Sequence, residues 1–266
     1  MSTDEKKQSS EINRRKFLDL CSKAVPTGIV LFTCGLSIDK LKGEERKDEE
    51  KNKSTEKTNY AMAVDINKCI GCGRCAAACK KENKVPDSPY YLRTWVERYV
   101  IPLNGDAEVD SPNGGIDGFP DRQPSDGKIR KTFFVPKLCN HCENPPCVQV
   151  CPVGATFQTP DGVVLVDESY CVGCRYCIQA CPYGARYIHP EKQVADKCTF
   201  CYHRISKGLL PACVEVCPTQ ARVFGDLGKQ SSPIHRILRF NPISVLKSEL
   251  NTRPKVFYAN MDQEVR

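Results

Sequence analysis

Apolar and polar positions divide the chain into regions of different character. Near the amino terminus an apolar run extends from Ala24 to Ile38, broken by Pro26 and Gly28, too short and too interrupted to read as a membrane-spanning helix. Residues 41–59 are almost entirely charged or polar. A segment with no apolar surface to bury is expected to be a disordered linker. Folded structure is expected from Tyr60, where Ala61-Met62-Ala63, Val64 and Ile66 read as a short strand. Residues 152–170 read strand–turn–strand, with Asp161-Gly162 as the turn before Val163-Val164-Leu165-Val166. Residues 88–131 are rich in Gly, Pro and Asp and are expected to be an insertion, either a surface loop or a docking element. The resulting plan is a signal or anchor over 1–40, the linker over 41–59, a folded domain over 60–227 and a partner-docking tail over 228–266.

Composition narrows what these elements can build. Of 266 residues 40% are hydrophobic, yet only 10 are Phe, 10 Tyr and one Trp. Apolar cores made from such a composition are modest, and bound inorganic centres can take over part of the core's role because metal binding and folding are coupled. The net charge of +7 is spread over interleaved basic and acidic residues. There is no basic stripe and no nucleic-acid-binding motif, which excludes a nucleic-acid partner. No nucleophile–base constellation, phosphate-binding loop or zinc-protease motif occurs, so no substrate chemistry is expected.

The 18 cysteines change the picture. Sixteen fall into four groups of four, an internal repeat. They are Cys69, Cys72, Cys75 and Cys79; Cys139, Cys142, Cys147 and Cys151; Cys171, Cys174, Cys177 and Cys181; and Cys198, Cys201, Cys213 and Cys217. Groups one and three have the C-x₂-C-x₂-C-x₃-C spacing of bacterial ferredoxins; groups two and four lengthen its middle. Pro152, Pro182 and Pro218 follow the last cysteine of three groups, and Lys80 stands there in the first. Three thiolates two residues apart wrap a cubane corner by corner, and Gly71, Gly73 and Gly173 let backbone amides approach the sulfurs. The fourth cysteine is expected to begin a short helix, to point away from its own loop and to serve a second cluster, so that groups work in pairs. Zinc sites use two C-x₂-C pairs without the third x₂ cysteine or the closing Cys-Pro, and cysteines at x₂ intervals are poorly placed to bond one another as disulfides. Chain order permits first-with-second and third-with-fourth pairing as well as nesting. The short 152–170 connection against the long 80–138 connection favours nesting, with groups two and three as one unit.

Ahead of the linker, Arg14-Arg15-Lys16-Phe17-Leu18 and the apolar run after it resemble a twin-arginine export signal. Asn13 and Asp19 depart from the usual signal residues, and no clean Ala-x-Ala cleavage site follows, which fits a signal retained as an anchor. His141 lies inside group two; with four cysteines completing each site, it is expected in a surface or supporting position. Cys21 and Cys34 lie in the signal and are not expected to be ligands. Trp95 and Tyr91 are expected to pack rather than to relay electrons.

Residues 60–227, and more weakly the tail, resemble the four-cluster iron–sulfur subunits of the molybdopterin oxidoreductase superfamily. ADKCTFCYHRISKGLLPACVEVCP resembles the iron–sulfur subunit of tetrathionate reductase. CNHCENPPCVQVCPVGATF resembles it as well, together with the ferredoxin-like subunit of formate-linked nitrite reduction and the polysulfide or thiosulfate reductase subunits. The segment TRPKVFY recurs in that group. The resemblance implies an α+β fold of two ferredoxin-like two-cluster units, with short strands and helices and nested cysteine groups. It implies four 4Fe–4S clusters: one on Cys69, Cys72, Cys75 and Cys217; one on Cys139, Cys142, Cys147 and Cys181; one on Cys171, Cys174, Cys177 and Cys151; and one on Cys198, Cys201, Cys213 and Cys79. It further implies an electron-transfer subunit on the periplasmic face of the membrane, between a quinol-handling membrane subunit and a molybdopterin or other catalytic subunit. A free-standing exported polyferredoxin is the alternative.

Overall fold

The computed structural model describes residues 57–121 and 128–265. The expected signal, Cys21, Cys34 and the linker up to residue 56 lie outside the described residues. The strands are β1 (Tyr60–Asp65), β2 (Thr94–Pro102), β3 (Glu108–Asp110), β4 (Ile129–Leu138), β5 (Thr156–Gln158), β6 (Val164–Val166), β7 (Arg186–Ile188), β8 (Ala195–Lys197), β9 (Arg222–Asp226), β10 (Ile243–Ser244) and β11 (Val256–Ala259). The helices are α1 (Arg74–Asn83), α2 (Pro146–Gln149), α3 (Tyr176–Gln179), α4 (Tyr202–Ile205), α5 (Ala212–Glu215) and α6 (Pro233–Phe240). The mixture is α+β, and among the described residues no helix is long and apolar enough to cross a membrane.

The central sheet has the order β10-β11-β1-β9. β1 is apolar on both faces because both are covered. Met62 and Val64 pack with Val96, Tyr99, Phe133, Phe200 and Phe224 in the main core. Ala61 and Ala63 face Ile234 and Ile237 of α6, their small side chains letting that helix approach. Pro233 opens α6, where the missing N–H is no loss. The connection between groups two and three is the antiparallel β5–β6 hairpin, with Gly162 at φ 80° in its turn.

Two segments differ from expectation. The insertion over 88–131 supplies β2 and β3 of a three-stranded antiparallel sheet, β3-β2-β4, completed by β4 at its end and beyond, with Thr94 opposite Leu138 and Tyr99 opposite Phe133. Tyr99 and Phe133 stack at 5.3 Å, and Arg98 makes a two-pronged pair with Asp110 at 2.9 and 2.6 Å. Val96, Tyr99 and Ile101 enter the main core, so burial of β2 outweighs the loop-like composition around it. Residues 228–266 are not an appended tail. β11 runs parallel to β1, Met62 opposite Val256, and Tyr258 is fully buried. The folded unit therefore extends through the carboxy-terminal segment.

Candidate iron–sulfur centres

Each cysteine group begins as a loop with one left-handed residue just before its second cysteine. These residues are Gly71 (φ 70°), His141 (φ 42°), Gly173 (φ 68°) and Phe200 (φ 53°). In groups one and three a second left-handed residue follows, Gly73 or Arg175, and forms the N-cap of α1 or α3. The third cysteine then lies in the first turn of the helix, as Cys75 and Cys177 do. Helices α2 and α3 end before Cys151 and Cys181. The helix thus starts ahead of the third cysteine, not at the fourth as expected, because the left-handed turn redirects the backbone there.

The loops bring together cysteines far apart in sequence. Cys69, Cys72, Cys75 and Cys217 line a cavity with Val96, Pro136 and Arg222. Cys139, Cys142, Cys147 and Cys181 line a second with His141, Val164 and Arg186. Cys79, Cys198, Cys201 and Cys213 line a third with Met62, Asn83, Arg93 and Phe200. The remaining four are less enclosed: Cys174 is exposed, Cys151 and Cys171 are half-buried, and Cys177 is buried beside Cys147, Val164 and Ala195.

The donor chemistry fits clusters. Among the described residues no three His, Cys, Asp or Glu side chains converge closely enough for a single metal ion. The cysteines surround a space instead of a point. Backbone amides reach their sulfurs: Phe200 to Cys198, Thr156 to Cys151 and Ala195 to Cys171, each at 3.4 Å. Asn83 Nδ2 donates to Cys79 Sγ at 3.5 Å and to Cys201 Sγ at 3.7 Å. Burial pushes the thiol of Cys69 up to about 11 and that of Cys142 up to about 12, and holds Cys79 and Cys198 well above the usual range. Iron must therefore displace protons from these sites on binding. Cys151 and Cys217 go the other way. Burial would raise them, but the amides of Thr156, Val153 and Ala155 around Cys151, and of Arg222, Ala221 and Thr219 with the Thr219 hydroxyl around Cys217, outweigh it.

His141 is fully buried, which settles its position inside the fold and not on its surface. Its Nδ1 accepts the Val164 amide at 3.1 Å, which leaves the proton of the neutral ring on Nε2. Burial, with Lys197, Lys255 and Arg186 nearby, keeps the ring neutral far below the usual histidine range. The ring stacks on Phe200 at 3.8 Å, joining the loop of group two to the loop of group four. Trp95 packs against the main core, and Tyr91 packs on Tyr187 at 5.4 Å. Asn83, Lys197, Arg186 and Arg222 were not singled out by the sequence. For the two arginines a signal existed, the shared Cys-Pro-x-x-Ala-Arg run that starts at Cys181 and at Cys217.

Cavities walled by cysteines, with backbone amides hydrogen-bonded to sulfur, define a protein of the 4Fe–4S dicluster class. Two family models described as 4Fe–4S dicluster domains match residues 68–155 and 130–227. The chain is 45% identical to a tetrathionate reductase subunit of Salmonella typhimurium over 215 residues, 80% of this chain and 77% of the relative. It is 43% identical to a polysulfide reductase component of Wolinella succinogenes over 199 residues, 74% and 92% of the two sequences. It is also 34% identical to the Hdr-like menaquinol oxidoreductase iron–sulfur subunit 1 of Archaeoglobus fulgidus, over 95% of this chain and all of the relative. The protein belongs to this family of four-cluster iron–sulfur subunits of respiratory oxidoreductases. Its cofactors are four 4Fe–4S clusters and its role is electron transfer.

Proposed function

We propose that the protein is a non-catalytic relay whose cysteine groups pair in nested order. The observation that carries this reading is the sharing of a cavity by Cys217 with Cys69, Cys72 and Cys75, matched by Cys181 with Cys139, Cys142 and Cys147, and by Cys79 with Cys198, Cys201 and Cys213. The fourth set is then Cys171, Cys174, Cys177 and Cys151. Each cluster, when bound, accepts and releases single electrons. The protein holds the sulfurs, shields them from water and supplies amide hydrogen bonds. Anaerobically purified protein is expected to hold about 16 iron and 16 sulfide. Cys217→Ser and Cys72→Ser are expected to perturb the same spectroscopic centre. Loss of different centres in the two variants would overturn nested pairing.

The partners we propose are a quinol-handling membrane subunit on one side and a molybdopterin or other catalytic redox subunit on the other. The relatives named above are components of tetrathionate and polysulfide reductases and of a menaquinol oxidoreductase. We place the protein on the outer face of the cytoplasmic membrane, exported by the twin-arginine route. Sixteen thiols released unfolded into an oxidising compartment would scramble into disulfides. Clusters must therefore be inserted first and the loaded fold exported whole. Replacing Arg14 and Arg15 by Lys is expected to leave cluster-loaded protein in the cytoplasm, followed by fractionation and iron analysis. Normal export of that variant would remove the basis for the location.

A further inference from the structure

The third and fourth cysteine groups end alike, in Cys181-Pro182-Tyr183-Gly184-Ala185-Arg186 and Cys217-Pro218-Thr219-Gln220-Ala221-Arg222; the second group has Thr156 in place of the arginine. The two arginines are equivalent in structure as well. Each begins a strand, β7 or β9, and they are 5% and 2% exposed. Each donates to a buried threonine hydroxyl: Arg186 Nη1 to Thr156 Oγ1 at 3.3 Å, and Arg222 Nη2 to Thr94 Oγ1 at 2.8 Å.

Neither has a carboxylate partner among the described residues. Other buried or nearly buried arginines do: Arg98 pairs with Asp110, and Arg93 with Asp196. Cys139, Cys142, Cys147 and Cys181 line the same cavity as Arg186, and its Nη2 donates to Cys147 Sγ at 3.0 Å. Cys69, Cys72, Cys75 and Cys217 line the same cavity as Arg222, whose Nε and Nη1 are buried with no hydrogen-bond partner. A guanidinium stays charged in any protein environment, and an unpaired buried charge is strongly disfavoured. These two positions are therefore built around an anionic group at the cysteines.

We propose that Arg186 and Arg222 are redox-tuning residues, one per dicluster unit, each a fixed cation that raises the reduction potential of the centre whose cavity it lines. Arg186 serves the centre at Cys139, Cys142, Cys147 and Cys181, and Arg222 the centre at Cys69, Cys72, Cys75 and Cys217. Reduction adds one electron to a thiolate-bound cluster, and so one negative charge to a buried cavity. A cation that cannot lose its proton or move into water favours the reduced form, because charge interactions are strong where water is excluded. Net charge and hydrogen bonds to sulfur are among the known determinants of cluster potentials. The inference rests on the ligand sets proposed above.

The test is an anaerobic redox titration of the full, cluster-loaded protein, with reduced centres counted by electron paramagnetic resonance. At the potential where the wild-type centre is half-reduced, Arg186→Gln is expected to lower its reduced-to-oxidised ratio at least tenfold, about 59 mV for a one-electron couple. Arg222→Gln is expected to do the same to a different signal. Arg186→Lys and Arg222→Lys, which keep the charge, are expected to recover most of each shift. Unmoved potentials in glutamine variants with full iron and sulfide would overturn the proposal. So would both variants moving one and the same signal. Where a glutamine variant fails to load, iron content of its lysine counterpart decides. Restored iron supports a charge requirement, and equal loss in both makes the arginine a packing residue. Wild-type protein without acid-labile sulfide would instead sink the underlying cluster reading.

Discussion

Groups one and three place glycine before their second cysteine, whereas groups two and four place His141 and Phe200 at the equivalent left-handed position. The backbone turn is the same, but the surroundings are opposite. In the glycine loops the second cysteines, Cys72 and Cys174, are exposed. In the aromatic loops Cys142 and Cys201 are buried, and the two rings stack on each other at 3.8 Å. A non-glycine residue in the left-handed region costs about 1–2 kcal/mol, and burying a large ring returns more than that. Glycine at the outer loops answers a different need, space. A Cβ on Gly71 would lie 2.4 Å from the Phe134 ring, and one on Gly73 would lie 2.0 Å from the Gly115 carbonyl oxygen. The repeat thus keeps one ligand geometry while using it in two ways, as an open face and as a core contact between loops.

The largest effect that can test this comparison is Gly73→Ala. The new Cβ meets backbone, which cannot swing aside, at φ +65°. The first-group centre is expected to be lost while the other three remain, so iron and sulfide fall by about a quarter. A full complement in this variant would show that the outer loop is more pliable than its packing implies.

Phe200→Ala removes a buried ring from the inner contact and is expected to cost about 3–5 kcal/mol. It would appear as a lowered midpoint in anaerobic denaturation. Combined with His141→Ala in a double-mutant cycle, it is expected to give a coupling of about 0.5–1.5 kcal/mol. Strict additivity would mean that the stacked rings do not hold the two inner loops together.

Slow oxidation with a chelator present should separate the two kinds of site by rate. The centres that include exposed Cys72 and Cys174 are expected to lose iron about tenfold faster, a barrier difference of about 1.4 kcal/mol. Following each centre's signal with time would check this, and uniform loss would contradict it. The smallest expected effect is that of Arg175→Gly, which puts glycine where the third group departs from Gly73 of the first. It is expected to raise stability by at most about 1 kcal/mol, since relief of the left-handed strain is partly offset by added freedom in the unfolded state. A clear destabilisation would give the Arg175 side chain a role beyond the turn.

Legibility in the sequence followed the range of the interactions. β1 and the β5–β6 hairpin were readable because each is set by neighbouring residues and a turn. The insertion was not. From Arg98 to Pro102 every residue of β2 is buried, so the period-two signal disappears, and Gly- and Pro-rich flanks suggest a loop. The helix start of the third group was misplaced because the left-handed conformation of Arg175 has no glycine to announce it; in the first group Gly73 stood at that position and was read only as room for amides to approach the sulfurs.

By itself, then, the sequence determined the cofactor. Sixteen cysteines in four groups, two at ferredoxin spacing and two with a lengthened middle, specify soft, clustered thiolate ligands, and that chemistry is written within windows of about a dozen to twenty residues. It also contained the repeated arginine, without its meaning. Linker length only favoured one grouping of the cysteines, and the tertiary structure decided which of them line a common cavity; it alone decided that the carboxy-terminal strand lies parallel to β1 in the central sheet and that His141 meets Phe200. It alone decided that Arg186 and Arg222 line cysteine-walled cavities and have no carboxylate partner among the described residues. The reason is physical: spacing acts through local backbone geometry, whereas burial and charge pairing depend on segments far apart in sequence that meet only when the core closes.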